Sequence, residues 1–515
     1  MTSSLIRGRP RRTRSHISVR VAHAVLGGVA GLGWLVLPGM TINTDVPVAI
    51  STDAPVAATA QEDEETSAAD LVLPLVVVGA AGALAGYGYI RRTRRARTRT
   101  TPGGPHIPPP APPLTELDDR SRALLAEADN WIRTSREELS FAEARSGPAA
   151  VASITQAVRD AESELTAAFR IRRQYEADVP QDETSRRHAL AGIVGRCQEA
   201  GRRLDEEAAA FDQLRALERD IGEALTVAET RFRELAGRTA TAETTLADLA
   251  ELYAPSATAS VTGYAEQAKD RLVFATNHLN QARQAADLDE AEAAARQLRA
   301  AEGAVAQAAV FVSAINRLAT ELRSAARMVA SALTGAESEL SGVRGTPVGK
   351  LRSQVLHADT VLTSVREELT GGQPYDPLDV LRRIVHVLAP VATGRAAVLS
   401  AAARLTARSA AAGADGFVTT HRGAVGAGAR TRLAAARELL DAAPLADLVR
   451  AHTLARQARE LAEQDVRVHG NPVAGADQRA SGVSGAVLGG ILLGGGRPPS
   501  FGGPRTRARR GLRSP

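Results

Sequence analysis

The sequence predicts an all-α fold: an elongated antiparallel bundle of helical hairpins, coiled-coil in style, on a membrane anchor with disordered flanks. Three observations carry this. Alanine, leucine, arginine and glutamate prevail while aromatic residues make up 3% of the chain, and such side chains lose little rotamer freedom in a helix. From Leu114 to about His469 apolar residues recur at spacings of three, four and seven, and no stretch alternates strictly as a half-buried strand would. Leu71 to Ile90 is a run of twenty residues without a charge, close to the ~20 needed to cross a bilayer's hydrocarbon core.

The segments are justified in order. Residues 1–20 form a basic N-terminus with Arg7, Arg9, Arg11, Arg12, Arg14 and Arg20. Residues 21–40 are an apolar span or a signal sequence. Ala58-Thr59-Ala60 resembles a cleavage site but lies unusually far from the apolar run, which favours an uncleaved span. No Lys or Arg stands between Val21 and Ile90, so the acidic loop 41–69 is placed outside the cell. Its Pro, Thr, Ala and acidic content lacks the apolar residues for a core. Residues 70–90 are the transmembrane helix. Arg91, Arg92, Arg94, Arg95, Arg97 and Arg99 follow directly, hold to the cytoplasmic side and offer contacts to anionic lipid. The protein is therefore expected in the cell membrane with its C-terminal bulk in the cytoplasm.

Residues 91–113 are an Arg-rich, then Pro-rich linker, and the seven prolines between Thr101 and Pro113 make a semi-rigid spacer. Gly27-x-x-x-Gly31 and Gly82-x-x-x-Gly86 would let the two spans pair, or one span self-associate into a homo-oligomer, although glycine is common in such helices by chance.

The cytoplasmic helical region spans 114–469. Thr115 with Asp118 reads as the N-terminal cap of its first helix. Leu125, Ala128, Ile132, Leu139 and Ala142 form one apolar stripe, and Ser146-Gly147-Pro148 ends the helix with Pro148 suited to open the next. Ile154, Val158, Ala161, Leu165 and Phe169 form a second stripe, ended by Val179-Pro180. Asp182 then caps a third helix through Leu190, Val194, Leu204, Phe211 and Leu214. Further interruptions are expected near Asp220 to Gly222, Gly237 to Thr239, Ala254-Pro255-Ser256, Asp287, Gly345 to Gly349, Gly371-Gly372 and Gly423 to Gly428. Short links of this kind join antiparallel neighbours. Residues 470–515 read as a Gly/Arg-rich disordered tail whose apolar run from Ala486 to Leu493 is too short to span a bilayer.

A faint repeat runs through the body. Arg271, Leu272, Ala275, Leu279 and Ala282 recur with identical spacing as Arg432, Leu433, Ala436, Leu440 and Ala443. Leu351 to Val391, turning at Gly371 to Pro377, is a more divergent copy. The unit is a hairpin whose helices bury a Leu/Ala stripe, and stacked units make a long body.

Charge and motifs exclude several functions. The net charge is +5, but the basic flanks at 1–20, 91–99 and 497–513 supply it and leave the helical body mildly acidic. That pattern suits a membrane surface rather than nucleic acid. Cys197 is the only cysteine, so no intrachain disulfide forms, and it reads as a small core residue. Ten scattered histidines form no ligand motif and read as helix-surface residues. Gly345-Thr-Pro-Val-Gly349-Lys350-Leu351 resembles a phosphate loop but has too few residues between its glycines, no Ser or Thr after the Lys and no preceding strand. Glu137-Glu138 and Glu206-Glu207 read as solvated helix faces. No catalytic, cofactor-binding or metal-binding residues are assigned, and no enzyme is expected.

Several strings carry a family resemblance. Ile132-Arg-Thr-Ser-Arg-Glu-Glu-Leu-Ser-Phe-Ala-Glu-Ala144, Phe211-Asp-Gln-Leu-Arg-Ala-Leu-Glu218, Tyr253-Ala-Pro-Ser-Ala257 and Arg422-Gly-Ala-Val-Gly426 resemble the C-terminal region of actinobacterial TPM-domain membrane proteins. So do Gly485-Ala-Val-Leu-Gly-Gly-Ile-Leu-Leu-Gly494, Ser500-Phe-Gly-Gly503 and Thr506-Arg-Ala-Arg-Arg510. The resemblance implies a membrane anchor and a helical cytoplasmic region. Only Thr41 to Ala69 separates the two apolar stretches, too short for the family's α/β TPM domain, so activities suggested for that domain have no residues to occupy here. The resulting expectation is a membrane-anchored helical scaffold with unidentified protein partners. The alternative is a lipid-surface envelope-stress protein that coats or senses the membrane.

Overall fold

The computed structural model of the chain describes residues 112–217, 219–343, 349–391, 396–441, 444–469, 483–492 and 498–511. The chain divides into two units, Met1–Pro108 and Pro109–Pro515, and the described residues lie in the second. The expectations for the N-terminus, both apolar stretches, the acidic loop, the Arg91–Arg99 cluster and most of the proline spacer fall outside the described residues. So do those for residues 344–348 and 470–482.

All regular structure among the described residues is helical, as the composition and the spacing of apolar residues require. Helices α1 (Leu114–Ser146), α2 (Ala152–Glu176) and α3 (Glu183–Arg215) pack together as a three-helix bundle. The stripe Ile154, Val158, Ala161, Leu165 and Phe169 is buried throughout against Leu125, Ala128, Ile132 and Leu139 of α1 and Leu190, Ile193 and Leu204 of α3. Asp182 caps α3, its carboxylate accepting the Ser185 N–H at 2.8 Å. Thr115 does not cap α1. That helix starts at Leu114, and the Pro113 carbonyl accepts the Leu117 N–H at 3.1 Å, so Pro113, in an extended conformation, itself sets the start. Pro148 likewise sits in a turn, and α2 opens only at Ala152.

Helix α4 (Ile221–Leu252) runs straight through the interruption expected at Gly237 to Thr239. A helical glycine costs roughly 1 kcal/mol, and packing on the next two helices outweighs it. The buried Thr239 hydroxyl is satisfied within the helix by donating to the Leu235 carbonyl at 2.8 Å.

Helix α5 (Tyr264–Asp287) turns back into α6 (Ala291–Val343), 53 residues that extend for about 80 Å. One end of α6 packs against α1, α4 and α5. Further along it meets α7 (Lys350–Thr370), α8 (Pro377–Leu388) and α9 (Ala397–Thr420). By length and composition α6 could cross a membrane, but 67% of its most apolar window is buried in the protein. A helix apolar around its circumference suits a protein core equally well, and Phe311, Val312 and Ile315 on α6 are fully buried in the largest cluster.

Helices α10 (Ala427–Leu439) and α11 (Leu445–Val468) pack with α9. The repeat stripe is buried in its first copy, and in the second Leu433 and Ala436 are buried while Arg432 and Leu440 are half-buried; Ala275, Ala282 and Ala436 are at zero exposure. Ala443 lies outside the described residues. The segment read as a divergent third copy forms a hairpin of α7 and α8.

The expectation of a disordered tail over 470–515 is corrected for residues 483–492 and 498–511. Helices α12 (Val483–Leu488) and α13 (Pro504–Gly511) lie on the body, with Ala486, Ile491 and Phe501 buried within it. A glycine-rich tail has too few large side chains to form a core alone. Its glycines instead let its backbone sink between helices that already have one.

Candidate functional site

The structure brings together polar side chains that lie far apart in the sequence. Asp129, Arg133 and Glu137 lie along one side of α1, facing α9 and its turn into α10, while Glu138 points elsewhere on the helix, toward the N-terminal part of α6. The Asp129 carboxylate accepts from Arg133 Nε at 2.9 Å and also from Arg430 Nη1. Arg133 reaches across to Asp415 Oδ1 at 2.9 Å and Thr419 Oγ1 at 2.7 Å. Glu137 receives both Nη groups of Arg422, at 2.7 and 2.9 Å. Arg430 closes the set by donating to the Arg422 carbonyl at 2.8 Å.

These contacts decide the charges. Burial acts to raise the Asp129 carboxyl, but Arg133 and Arg430 hold it well below the usual carboxylate range. Asp415 is lowered in the same way, against burial, by Arg133 and Arg437. Each carboxylate thereby stays ionised and ties α1 to the α9–α10 turn. The string Arg422-Gly-Ala-Val-Gly426 is this turn.

A second ion pair lies nearby. Arg215, at the end of α3, donates through Nη2 to both oxygens of Glu302 on α6, at 2.8 and 2.6 Å, and both side chains are 2% exposed. Burial works against the Arg215 charge, but Glu302 and Glu138 keep its pKa raised. Glu138 is 6% exposed and its Oε1 lies 3.6 Å from Arg299 Nε. Glu137-Glu138 is therefore not a solvated face, because α1 is covered here by α6 and the α9–α10 turn. Glu206 is exposed and paired with Arg202, as expected.

Between the two ion-pair groups lies a cavity of about 20 Å³, walled by Thr134, Glu138, Arg299, Glu302, Ile491 and Pro499 among others. It has room for about one water. A wider groove of about 510 Å³ opens between α1, α2 and α10, with Arg122, Arg172, Arg186 and Arg432 facing Asp118, Glu176 and Asp178. Arg172, 3% exposed at its side chain, bonds to Asp118 and Glu176.

The C-terminal segments complete the region. Gln307 on α6 donates to the Gly489 carbonyl at 2.6 Å and accepts from Arg271 Nε at 3.1 Å. A Cβ on Gly485 would lie 1.8 Å from the Arg271 guanidinium, so any larger residue there must displace that side chain. Phe501 is fully buried, and the N–H groups of Arg505 and Thr506 donate to the Asp205 carboxylate at 3.1 and 3.0 Å. Arg510 donates to both oxygens of Asp212 at 2.6 Å. The sequence signal for this seat was the strings Ser500-Phe-Gly-Gly503 and Thr506-Arg-Ala-Arg-Arg510, with Phe211 and Asp212 inside the string Phe211 to Glu218, while Asp205 carried no signal.

The remaining candidates resolve as follows. Cys197 is fully buried on α3, and burial pushes its thiol up to about 12, as a small core residue requires. The histidines are not all on helix surfaces. His452 is 7% exposed, and its Nδ1 meets His386 Nε2 at 3.2 Å between α11 and α8. No group of metal-ligating side chains occurs among the described residues. The arginines Arg91 to Arg99, expected from the sequence to contact anionic lipid, lie outside them.

Comparison with known proteins gives one relationship. The chain is similar to UPF0603 proteins of mycobacteria. UPF0603 protein MT2410 and UPF0603 protein Rv2345, from two strains of Mycobacterium tuberculosis, are each 30% identical to it over 437 residues. The match covers 76% of this chain and 65% of each relative. No family model matches the chain, and no solved structure does.

Proposed function

We propose that the protein is a membrane-anchored scaffold: an elongated helical body held in the cytoplasm that acts through contacts with other proteins and is not an enzyme. The observation that carries this reading is the use made of the buried charges. Asp129, Asp415 and Glu302 are each engaged by an arginine from another helix, and Glu137 by Arg422 of the α9–α10 turn. They join helices, and the cavity beside them is far smaller than the several hundred Å³ typical of ligand pockets.

Support for the anchor is the uncharged run 71–90 with its six arginines behind it. Under the same reading the chain corresponds to the anchor and helical region of TPM-domain membrane proteins. Relatives that extend well beyond the matched stretch support this. The 53-residue helix α6 supports an elongated body. X-ray scattering of the body is expected to give a radius of gyration above the roughly 20 Å that compact scaling assigns to such a length.

Crosslinking of the full chain in cells, followed by identification of what is attached, tests the scaffold. Reproducible protein partners attached to the body are expected. Capture of lipid alone would favour a membrane-coating role. A reporter active only outside the membrane, fused after Pro515, is expected to stay silent, and activity there would overturn the topology.

A further inference from the structure

We propose that the cleft between α1 and α3 is a peptide-recognition site and that residues 500–511 are its resident ligand, docking and leaving as one piece. The recognised chemistry is an aromatic residue, two glycines, a proline and a basic helical turn. Each part has a reader. Phe501 stacks on Phe211 with ring centres 4.3 Å apart. A Cβ on Gly503 would stand 2.1 Å from the Gly201 carbonyl oxygen, and one on Gly201 would stand 2.5 Å from Pro504, so the two backbones touch where no side chain fits. Gly502, at φ +117°, turns the chain into that contact and donates to Ser135 Oγ at 3.3 Å. Asp205 and Asp212, two turns apart on α3, take the free N–H groups at the start of α13 and the Arg510 fork near its end.

The contact has the composition of a bound ligand rather than of a core. Phe501 is its one large, fully buried apolar side chain, while Arg505 and Arg509 face solvent and the Asp212 clamp is exposed. The Leu/Ala stripes of α1, α2 and α3 pack against one another beneath it. Holding these residues in one conformation is opposed by their lost freedom. Release would uncover Phe211 and Trp131, leaving a site ready for the same segment from a second copy of the chain. The inference does not rest on the anchor or on the scaffold reading.

Two measurements on the full chain in detergent test it. By amide hydrogen exchange, residues 502–511 are expected to exchange together, at least tenfold faster than α3 amides between 190 and 211. Equal protection of the two segments would overturn the proposal. A labelled peptide of residues 498–515 is expected to bind the Phe501→Ala, Gly503→Val chain at least tenfold more tightly than wild type. It should lose that binding when Asp205→Asn and Asp212→Asn are added. Equal binding to wild type and to a tail variant of unchanged helical content would also overturn it. If the tail variant loses helix, the exchange measurement on wild type decides.

Discussion

The ring of Phe501 lies parallel to that of Phe211 within 19°, joining the last described segment of the chain to its third helix. Stacked rings add about 0.5–1.5 kcal/mol beyond their burial. The same seam depends on glycines, and these give a first prediction by contrast.

Gly503→Ala must push against the Gly201 backbone, which cannot yield as a flexible side chain would. It is expected to free the C-terminal segment, measured as faster proteolysis after Arg505 or Arg507. Gly237→Ala, on an exposed stretch of α4 with nothing within 4 Å of the new methyl, is expected to stabilise the body by roughly 0.5–1 kcal/mol in denaturant unfolding.

Removing one partner of the Arg215–Glu302 pair strands a charge that is 2% exposed. Glu302→Leu or Arg215→Met alone is expected to cost about 3–5 kcal/mol, whereas the double change recovers most of that loss. A double-mutant cycle by urea unfolding checks this. Additive losses would show that the pair does not act as a unit.

The repeat stripe predicts a third outcome. Ala275 and Ala436 are fully buried where α5 meets α6 and α10 meets α11. Ala275→Leu and Ala436→Leu are each expected to cost about 1–3 kcal/mol by overpacking. Gln281→Leu, exposed on α5, should change stability by less than about 0.5 kcal/mol. Gln297 is no control for this comparison, because its side chain contacts His278.

Stability is expected to fall as pH drops from 7 to 4. Burial pushes His452 down to about 3 and His421 down to about 4. At these two histidines, whose unfolded values lie near ~6.5, the unfolded chain binds more protons than the folded one throughout that window. The folded state is therefore favoured above pH 6.5 and loses that advantage on acidification. Below about pH 4 the lowered carboxyls of Asp129 and Asp415 add a loss of the same sign. His452→Gln is expected to flatten the melting temperature between pH 4 and 7. An unchanged slope would remove His452 from the account.

Much of the fold was legible because it is local. The stripe from Ile154 to Phe169, the Asp182 cap and the breaks at Ser146-Gly147, Ala254-Pro255 and Gly371 follow from spacings and turn residues within one or two helical turns. Where local signals were weak they misled. Gly237 marks no break, and Thr115 caps nothing, because packing and the preceding Pro113 override them.

The sequence by itself determined that the body is helical, which faces of its helices are apolar and that an uncharged stretch backed by arginines precedes it. Only the tertiary structure decided that Glu138 and Glu302 are buried, that His386 meets His452 and that a glycine-rich tail is seated on α3. Helical faces are set by periodicity along one segment, which a sequence displays directly. Whether a charged side chain meets water or an arginine from another helix depends on how segments far apart in the chain come together, and no spacing within either segment encodes that.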